Sequence, residues 1–209
     1  MPRLTGILGG TFDPIHYGHL RPALEVMQQL ELDEVRFVPN RQPPHREHPV
    51  LDDQQRAELV QLAIAQTAGF VFDDRELRRE GPSYMVDTLV SLRNDLGDDV
   101  LCLIMGMDAF NGFQQWHRWQ SILELCHLVV MTRPGADMSK TLLPSDLQHR
   151  ISTNPQVLRQ TPVGQILLQS VTQLDISASQ IRQCLRDGQN IQFLLPESLR
   201  EKLEKAYAR

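Results

Sequence analysis

Two rhythms of apolar residues run along the chain. Short apolar runs that stop at glycine or proline alternate with longer stretches where apolar residues recur every three or four positions. Residues 4–9 form such a run, ending at Gly9-Gly10, and predict a buried strand. Helical spacing follows from His19 to about Gln29, through Leu20, Leu24 and Met27. Residues 34–38, closed by Pro39, predict a second strand, followed by a polar loop over 40–49. Asp52 or Asp53 can cap a helix carrying Ala57, Val60, Leu62 and Ile64. Phe70–Phe72 predicts a third strand, and Ser83 a helix start leading through Val86, Leu89, Val90 and Leu92. Residues 100–105 are the strongest apolar run and end at Gly106; residues 128–131 end before Arg133-Pro134-Gly135. Residues 137–161 are polar and broken by prolines, which predicts surface helix and loops. Residues 165–168 read as a last strand. Helices follow from about Ser177 and from about Pro196, the latter with Leu195, Leu199 and Leu203 on one face.

Strands alternating with helices of this length imply βαβ units and a mostly parallel sheet. Right-handed crossovers then give an α/β fold, doubly wound and Rossmann-like, with helices on both faces. Ligands of such sheets bind beyond the carboxyl ends of the strands. The residues after Leu8, Val38, Met105 and Met131 therefore face one shared cleft.

Length, charge and cysteines narrow the setting. The 209 residues fit one domain, 1–209, with a C-terminal helical part from about 177. Net charge is −5, so there is no global reason to bind nucleic acid or an anionic membrane. The first apolar stretch is too short for a signal peptide, and no run is long enough for a membrane span. Three scattered cysteines without a CxxC spacing point to a reducing, cytoplasmic setting, with Cys102 as a small core residue. Oligomeric state stays open, because amphipathic helices serve cores and interfaces alike.

Two segments carry chemistry. The first is Gly9-Gly10-Thr11-Phe12-Asp13-Pro14-Ile15-His16-Tyr17-Gly18-His19. Glycines after a strand let backbone approach a ligand, and the next helix begins with its free N–H groups at the same place. His16 and His19 stand three apart, on one face of a helix start, with Gly18 leaving room. Two imidazoles at a helix N-terminus suit a phosphate; a metal site or plain surface histidines are the alternatives. The pattern is neither a Walker loop nor a dinucleotide fingerprint. The second segment is Ile176-Ser177-Ala178-Ser179-Gln180-Ile181-Arg182. Ser177 is a good N-cap, Ser179 sits in the first turn, and Arg182 lies about one turn on. Taken alone, this reads as an ordinary capped helix.

Together the two segments resemble nucleotidyltransferases with a GxFDPxHxGH signature near the start and an ISxSxxR signature near the end. The intervening stretches 39–46, 81–89, 105–108, 116–119 and 132–135 narrow the likeness to bacterial nicotinate mononucleotide adenylyltransferases. Two departures are Ala178, where that family often has serine, and Met85, where it often has threonine.

The resemblance implies ATP and nicotinate mononucleotide as substrates, giving nicotinate adenine dinucleotide and pyrophosphate in NAD synthesis. The mononucleotide phosphate attacks the α-phosphorus directly, with no covalent intermediate. A phosphate monoester is already ionised near neutral pH, so catalysis reduces to positioning and charge stabilisation. By the same resemblance His16, His19 and Arg182 are catalytic. Gly9, Gly10, Thr11, Phe12, Gly106, Asp108, Ile176, Ser177 and Ser179 join them around ATP, with Asp108 on a ribose hydroxyl. Asn40, His45, Arg46, Tyr84, Thr88, Trp116, His117 and Arg133 would meet the mononucleotide. Residues 40–46 also read as a solvated loop, Trp116 and Tyr84 as packing, and Arg133 as a surface pair. Magnesium is expected to arrive on ATP, without protein ligands of its own. Rival readings are phosphopantetheine adenylyltransferase, a cytidylyltransferase, or a nucleotide-binding sensor domain that has lost activity.

Overall fold

The computed structural model describes residues 2–42, 49–133 and 145–207. In chain order its first half comprises β1 (Leu4–Gly10), α1 (Tyr17–Gln29), β2 (Glu34–Pro39), α2 (Asp53–Ile64), β3 (Phe70–Phe72), α3 (Arg75–Arg78) and α4 (Met85–Leu96). Then come β4 (Val100–Gly106), α5 (Met107–Asn111), a 3-10 turn (Phe113–Gln115), α6 (Trp119–Leu123) and β5 (His127–Thr132). The remainder is α7 (Ser145–Gln148), β6 (Ile151–Ser152), α8 (Val157–Gln160), β7 (Ile166–Ser170), α9 (Ala178–Arg186) and α10 (Glu197–Tyr207).

The strands form one seven-stranded sheet in the order β3-β2-β1-β4-β5-β7-β6. Every pairing among the described residues is parallel, so the "mostly" of the sequence reading becomes "all". Strand order reverses between β1 and β4, which places the topological switch point beside the ends of those strands, Gly10 and Gly106.

Period-two alternation sorts the strands' side chains onto two faces. Leu4 and Leu8 of β1, Cys102 and Ile104 of β4 and Val129 of β5 join one core with Leu20, Ala23 and Val26 of α1, Leu59 and Val60 of α2, and Leu199 and Leu203 of α10. Ile7, Leu101, Leu103, Leu128 and Val130 face the other way, onto Val86, Leu89 and Leu92 of α4 and Ile122 of α6. Both faces of the sheet are thus covered. Cys102 is fully buried, and burial pushes its thiol up to about 12, so it acts as a core residue.

Local departures from the sequence reading have physical reasons. Ser83 does not start α4: its hydroxyl accepts from the Arg41 and Gln42 backbone N–H groups at 3.1 and 3.4 Å, and Tyr84 becomes the N-cap. Asp52 caps α2 through a full capping box with Gln55. Within the polar region 137–161, Ile151–Ser152 pairs with β7 as a short edge strand. His127, the first residue of β5, is buried, with Nε2 3.0 Å from the Thr161 carbonyl and Nδ1 accepting from Gln165 N–H at 3.1 Å. It is a structural histidine that fastens the start of β5.

Candidate active site

The loop 11–16 joins β1 to α1, and its geometry follows from what grips it. Phe12 is buried and adopts φ +49, a left-handed conformation unusual for an aromatic residue. Its ring packs edge-on to His19 at 5.2 Å and near Phe37 at 6.1 Å. Asp13 is also buried; its two carboxylate oxygens accept from the Val50 and Leu51 N–H groups at 2.9 and 3.2 Å. This carboxylate therefore sets the loop against the start of α2.

His16 is the N-cap of α1, with extended backbone and no side-chain capping bond. Its ring stacks on His19 at 3.8 Å, so the three-residue spacing does bring both imidazoles to one place. His16 is 4 % exposed, its Nδ1 has no hydrogen-bond partner among the described residues, and burial lowers its pKa to about 4. At neutral pH it is an uncharged imidazole. Gly18 makes the packing possible. A β-carbon there would stand 2.9 Å from the His16 ring and 2.9 Å from the Ile176 carbonyl oxygen. That contact also joins the two segments singled out in the sequence.

The second segment closes on the first. Ser177 caps α9 by accepting from Gln180 N–H at 3.1 Å. The N–H groups of Ala178 and Ser179 then remain at the open end of the helix. Arg182 donates to the Asp13 carbonyl at 2.6 Å and to Ser179 Oγ at 3.2 Å, and lies 3.6 Å from the Asp13 carboxylate. A guanidinium and the amino ends of α1 and α9 thus surround the two histidines. The arrangement favours an anion, most of all one with several oxygens.

Other predicted residues ring the same strand ends. Asn40, at the end of β2, donates its N–H to Gly10 O at 3.0 Å and its amide to Thr11 Oγ1 at 3.3 Å. A side chain at Gly9 would meet the Met85 methyl at 2.7 Å, so Met85 covers β1 here. At Gly106 a β-carbon would meet Asp108 Oδ1 at 2.6 Å; Asp108 itself is exposed beyond β4. Tyr84 stacks on His117 at 4.3 Å, and Trp116 leans on Phe113 at 5.7 Å. Thr88 is fully buried and its hydroxyl donates to Glu76 at 2.5 Å. The Asp87 and Thr88 N–H groups already donate to the Tyr84 carbonyl at 3.1 and 3.3 Å, so what the start of α4 can offer a ligand is the N–H groups of Met85 and Val86. Burial raises the Glu76 pKa. Arg133 is exposed and donates to Gln173 at 3.0 Å. His45 and Arg46 lie outside the described residues.

Arg56 went unnoticed in the sequence. It is fully buried on α2 and donates to the Thr11 carbonyl at 2.7 Å and to Asp53 at 2.6 Å. The available signal was an arginine at the helical spacing that aligns it with Leu59, Val60 and Ile64 on the inward face. Among the described residues no group of three or more His, Cys, Asp or Glu could hold a metal ion. Nor is any described helix long and apolar enough to cross a membrane.

Comparison with known proteins places this geometry. The cytidylyltransferase-like family profile matches residues 7–184. A probable nicotinate-nucleotide adenylyltransferase of Halorhodospira halophila is 48% identical over 205 residues, covering 98% of this chain and 94% of that one. Its counterpart in Methylococcus capsulatus is 48% identical over 213 residues, covering 99% and 100%. Among solved structures, a Plasmodium falciparum nicotinic acid mononucleotide adenylyltransferase complexed with NaAD shares the fold, with a TM-score of 0.71 at 15% identity over 99% of this chain and 98% of that one. A putative nicotinate-nucleotide adenylyltransferase from Vibrio parahaemolyticus gives 0.66 at 16% identity, covering 96% and 98%. With its parallel sheet, its paired helix N-termini and relatives alike along their whole length, the chain belongs to the nicotinate-nucleotide adenylyltransferase family of cytidylyltransferase-like proteins.

Proposed function

We propose that the protein transfers the adenylyl group of ATP to nicotinate mononucleotide, releasing pyrophosphate and forming nicotinate adenine dinucleotide. The observation that carries this reading is the convergence of the α1 and α9 amino ends, with Arg182 tied to Asp13 and Ile176 against Gly18, around the His16–His19 stack. A triphosphate has the charge and the number of oxygens to engage all of them. Full-length relatives bearing the nicotinate-nucleotide adenylyltransferase name support the choice of substrates.

In this reading a mononucleotide phosphate oxygen forms a bond to the α-phosphorus as the bond from that phosphorus to the β-phosphate oxygen breaks. The electron pair leaves with pyrophosphate, and no protein nucleophile is needed. Neutral His16 donates a hydrogen bond to the reacting phosphates, with His19 beside it. Removing one such donor lowers the rate roughly 10²–10³-fold. Ser177, Ser179 and Arg182 hold the β- and γ-phosphates and then the leaving group. Gly9, Gly10, Thr11 and Phe12 supply backbone to the nucleotide, and Gly106 and Asp108 receive the adenosine.

Asn40, with His45 and Arg46 following it, takes the mononucleotide phosphate. The Tyr84–His117 pair, Trp116 and the first turn of α4 at Met85–Thr88 receive the pyridine ring and its carboxylate, with Arg133 at the rim. Magnesium comes bound to ATP. The phosphate oxygens and water are its natural ligands there. The chain acts as one cytoplasmic domain with small-molecule partners, without nucleic acid or membrane.

The test is pyrophosphate release from ATP with either nicotinate or nicotinamide mononucleotide. The expected result is turnover with a higher kcat/KM for nicotinate. No release with either sinks the transferase reading, and equal kcat/KM sinks the assignment of the carboxylate to α4.

A further inference from the structure

We infer that Arg56 is a positioning residue for adenylyl transfer, holding the Thr11–Phe12 peptide so that the loop presents its N–H side, not its carbonyl, to the nucleotide. The inference rests on the transferase reading above, because it concerns the loop that reading places against ATP.

Arg56 has no exposed surface, and it extends from α2 toward the loop after β1. A buried guanidinium is unfavourable unless its donors and its charge are met. Here they are met incompletely. Nη2 donates to Asp53 at 2.6 Å, but that carboxylate is 43% exposed and also lies 3.5 Å from Arg41. Nε is buried with no hydrogen-bond partner among the described residues. A leucine or methionine would fill this space without leaving a donor unmet. What the arginine adds is the 2.7 Å hydrogen bond from Nη1 to the Thr11 carbonyl.

That bond has a defined geometric consequence. A trans peptide directs its C=O and the following N–H to opposite sides. With the Thr11 carbonyl drawn toward α2, the Phe12 N–H points away from α2, and no described residue accepts from it. Phe12 stands at φ +49, a conformation that persists when its surroundings impose it. The described residues do so: Arg56 on the Thr11 carbonyl, Asn40 on Gly10 and Thr11, Asp13 on the Val50 and Leu51 N–H groups, and Arg182 on the Asp13 carbonyl. Of these, Arg56 alone grips the carbonyl of the peptide that turns.

Kinetics of Arg56→Met and Arg56→Lys separate positioning from packing. Methionine keeps apolar volume and loses the bond. Lysine keeps the charge and can reach one acceptor, not two. A misplacement near 1 Å lowers turnover about 100-fold. Arg56→Met is therefore expected to lose about that factor in kcat, with the KM for nicotinate mononucleotide changed less than about threefold; Arg56→Lys is expected to recover about tenfold of the loss. A Kd for a nonhydrolysable ATP analogue, measured by calorimetry, reads the loop without turnover and is expected to rise about tenfold in Arg56→Met.

Wild-type kcat in folded Arg56→Met overturns the inference. So does an equal loss in both variants that tracks their melting temperatures. Should Arg56→Met fail to fold, Arg56→Lys decides: unchanged kcat and analogue affinity refute the positioning role. Wild-type protein run alongside distinguishes the two levels. Absence of turnover there strikes the transferase reading, whereas active wild type with indifferent variants strikes only Arg56.

Discussion

Acid weakens this protein by a calculable amount through His16. The ring is buried, and its pKa falls from the ordinary 6.5 to about 4. Between those values the unfolded chain binds the proton and the folded one does not. The stabilisation from the neutral ring is therefore complete above pH 6.5 and is lost as pH falls toward 4. Linkage gives a loss of roughly 2 kcal/mol by pH 5 and roughly 3 kcal/mol by pH 4. Urea unfolding of wild type and His16→Gln across this range isolates the term, since all other titrating groups are common to both. The wild-type curve should fall more steeply by about 3 kcal/mol in total. A nonhydrolysable ATP analogue, which gives the ring a phosphate to bind, should flatten it. Parallel curves, or a His16 ring that titrates near its ordinary value by NMR, would refute the burial argument.

Two further substitutions probe the site and its support. In Gly18→Ala the new methyl lies 2.9 Å from both the His16 ring and the Ile176 carbonyl, so it pries apart the two segments proposed to bind phosphate; kcat/KM should fall about 100-fold while circular dichroism stays near wild type. Burial raises the Glu76 pKa, so the folded state holds its proton more tightly than the unfolded chain and the associated stability is lost as pH rises above the ordinary carboxylate value. Glu76→Gln should therefore flatten the pH dependence of the melting temperature above that point and raise stability at neutral pH; an unchanged slope contradicts the assignment.

Much of this was legible because local rules sufficed. Short apolar strands alternating with helical segments pointed to a parallel sheet whose strand ends share one cleft; that β1 and β4 lie side by side came from the structure. The capping signals at Asp52 and Ser177 were local too, and both formed. The three-residue spacing of His16 and His19 became a stack across the N-cap and first turn of α1, where both side chains come to one face. What escaped was held by distant partners. Ser83 looks like a helix start, yet its hydroxyl is used by Arg41 and Gln42, about 40 residues away along the chain. Thr88 looks available to a ligand, but Glu76 takes its hydroxyl. Asp13 and Arg56 brace the loop through bonds spanning 37 and 45 positions, for which no spacing rule exists. Edge strand β6, two residues long, has too little pattern to read.

The central claim is that two helix ends, two histidines and an arginine position ATP for direct attack, with no covalent enzyme intermediate. The stereochemistry at the α-phosphorus tests it most directly. With a chiral α-thio analogue of ATP and nicotinate mononucleotide, one in-line displacement inverts the configuration at that phosphorus in the dinucleotide, and inversion is the predicted result. Retention would require two displacements through an adenylylated side chain and would contradict the account.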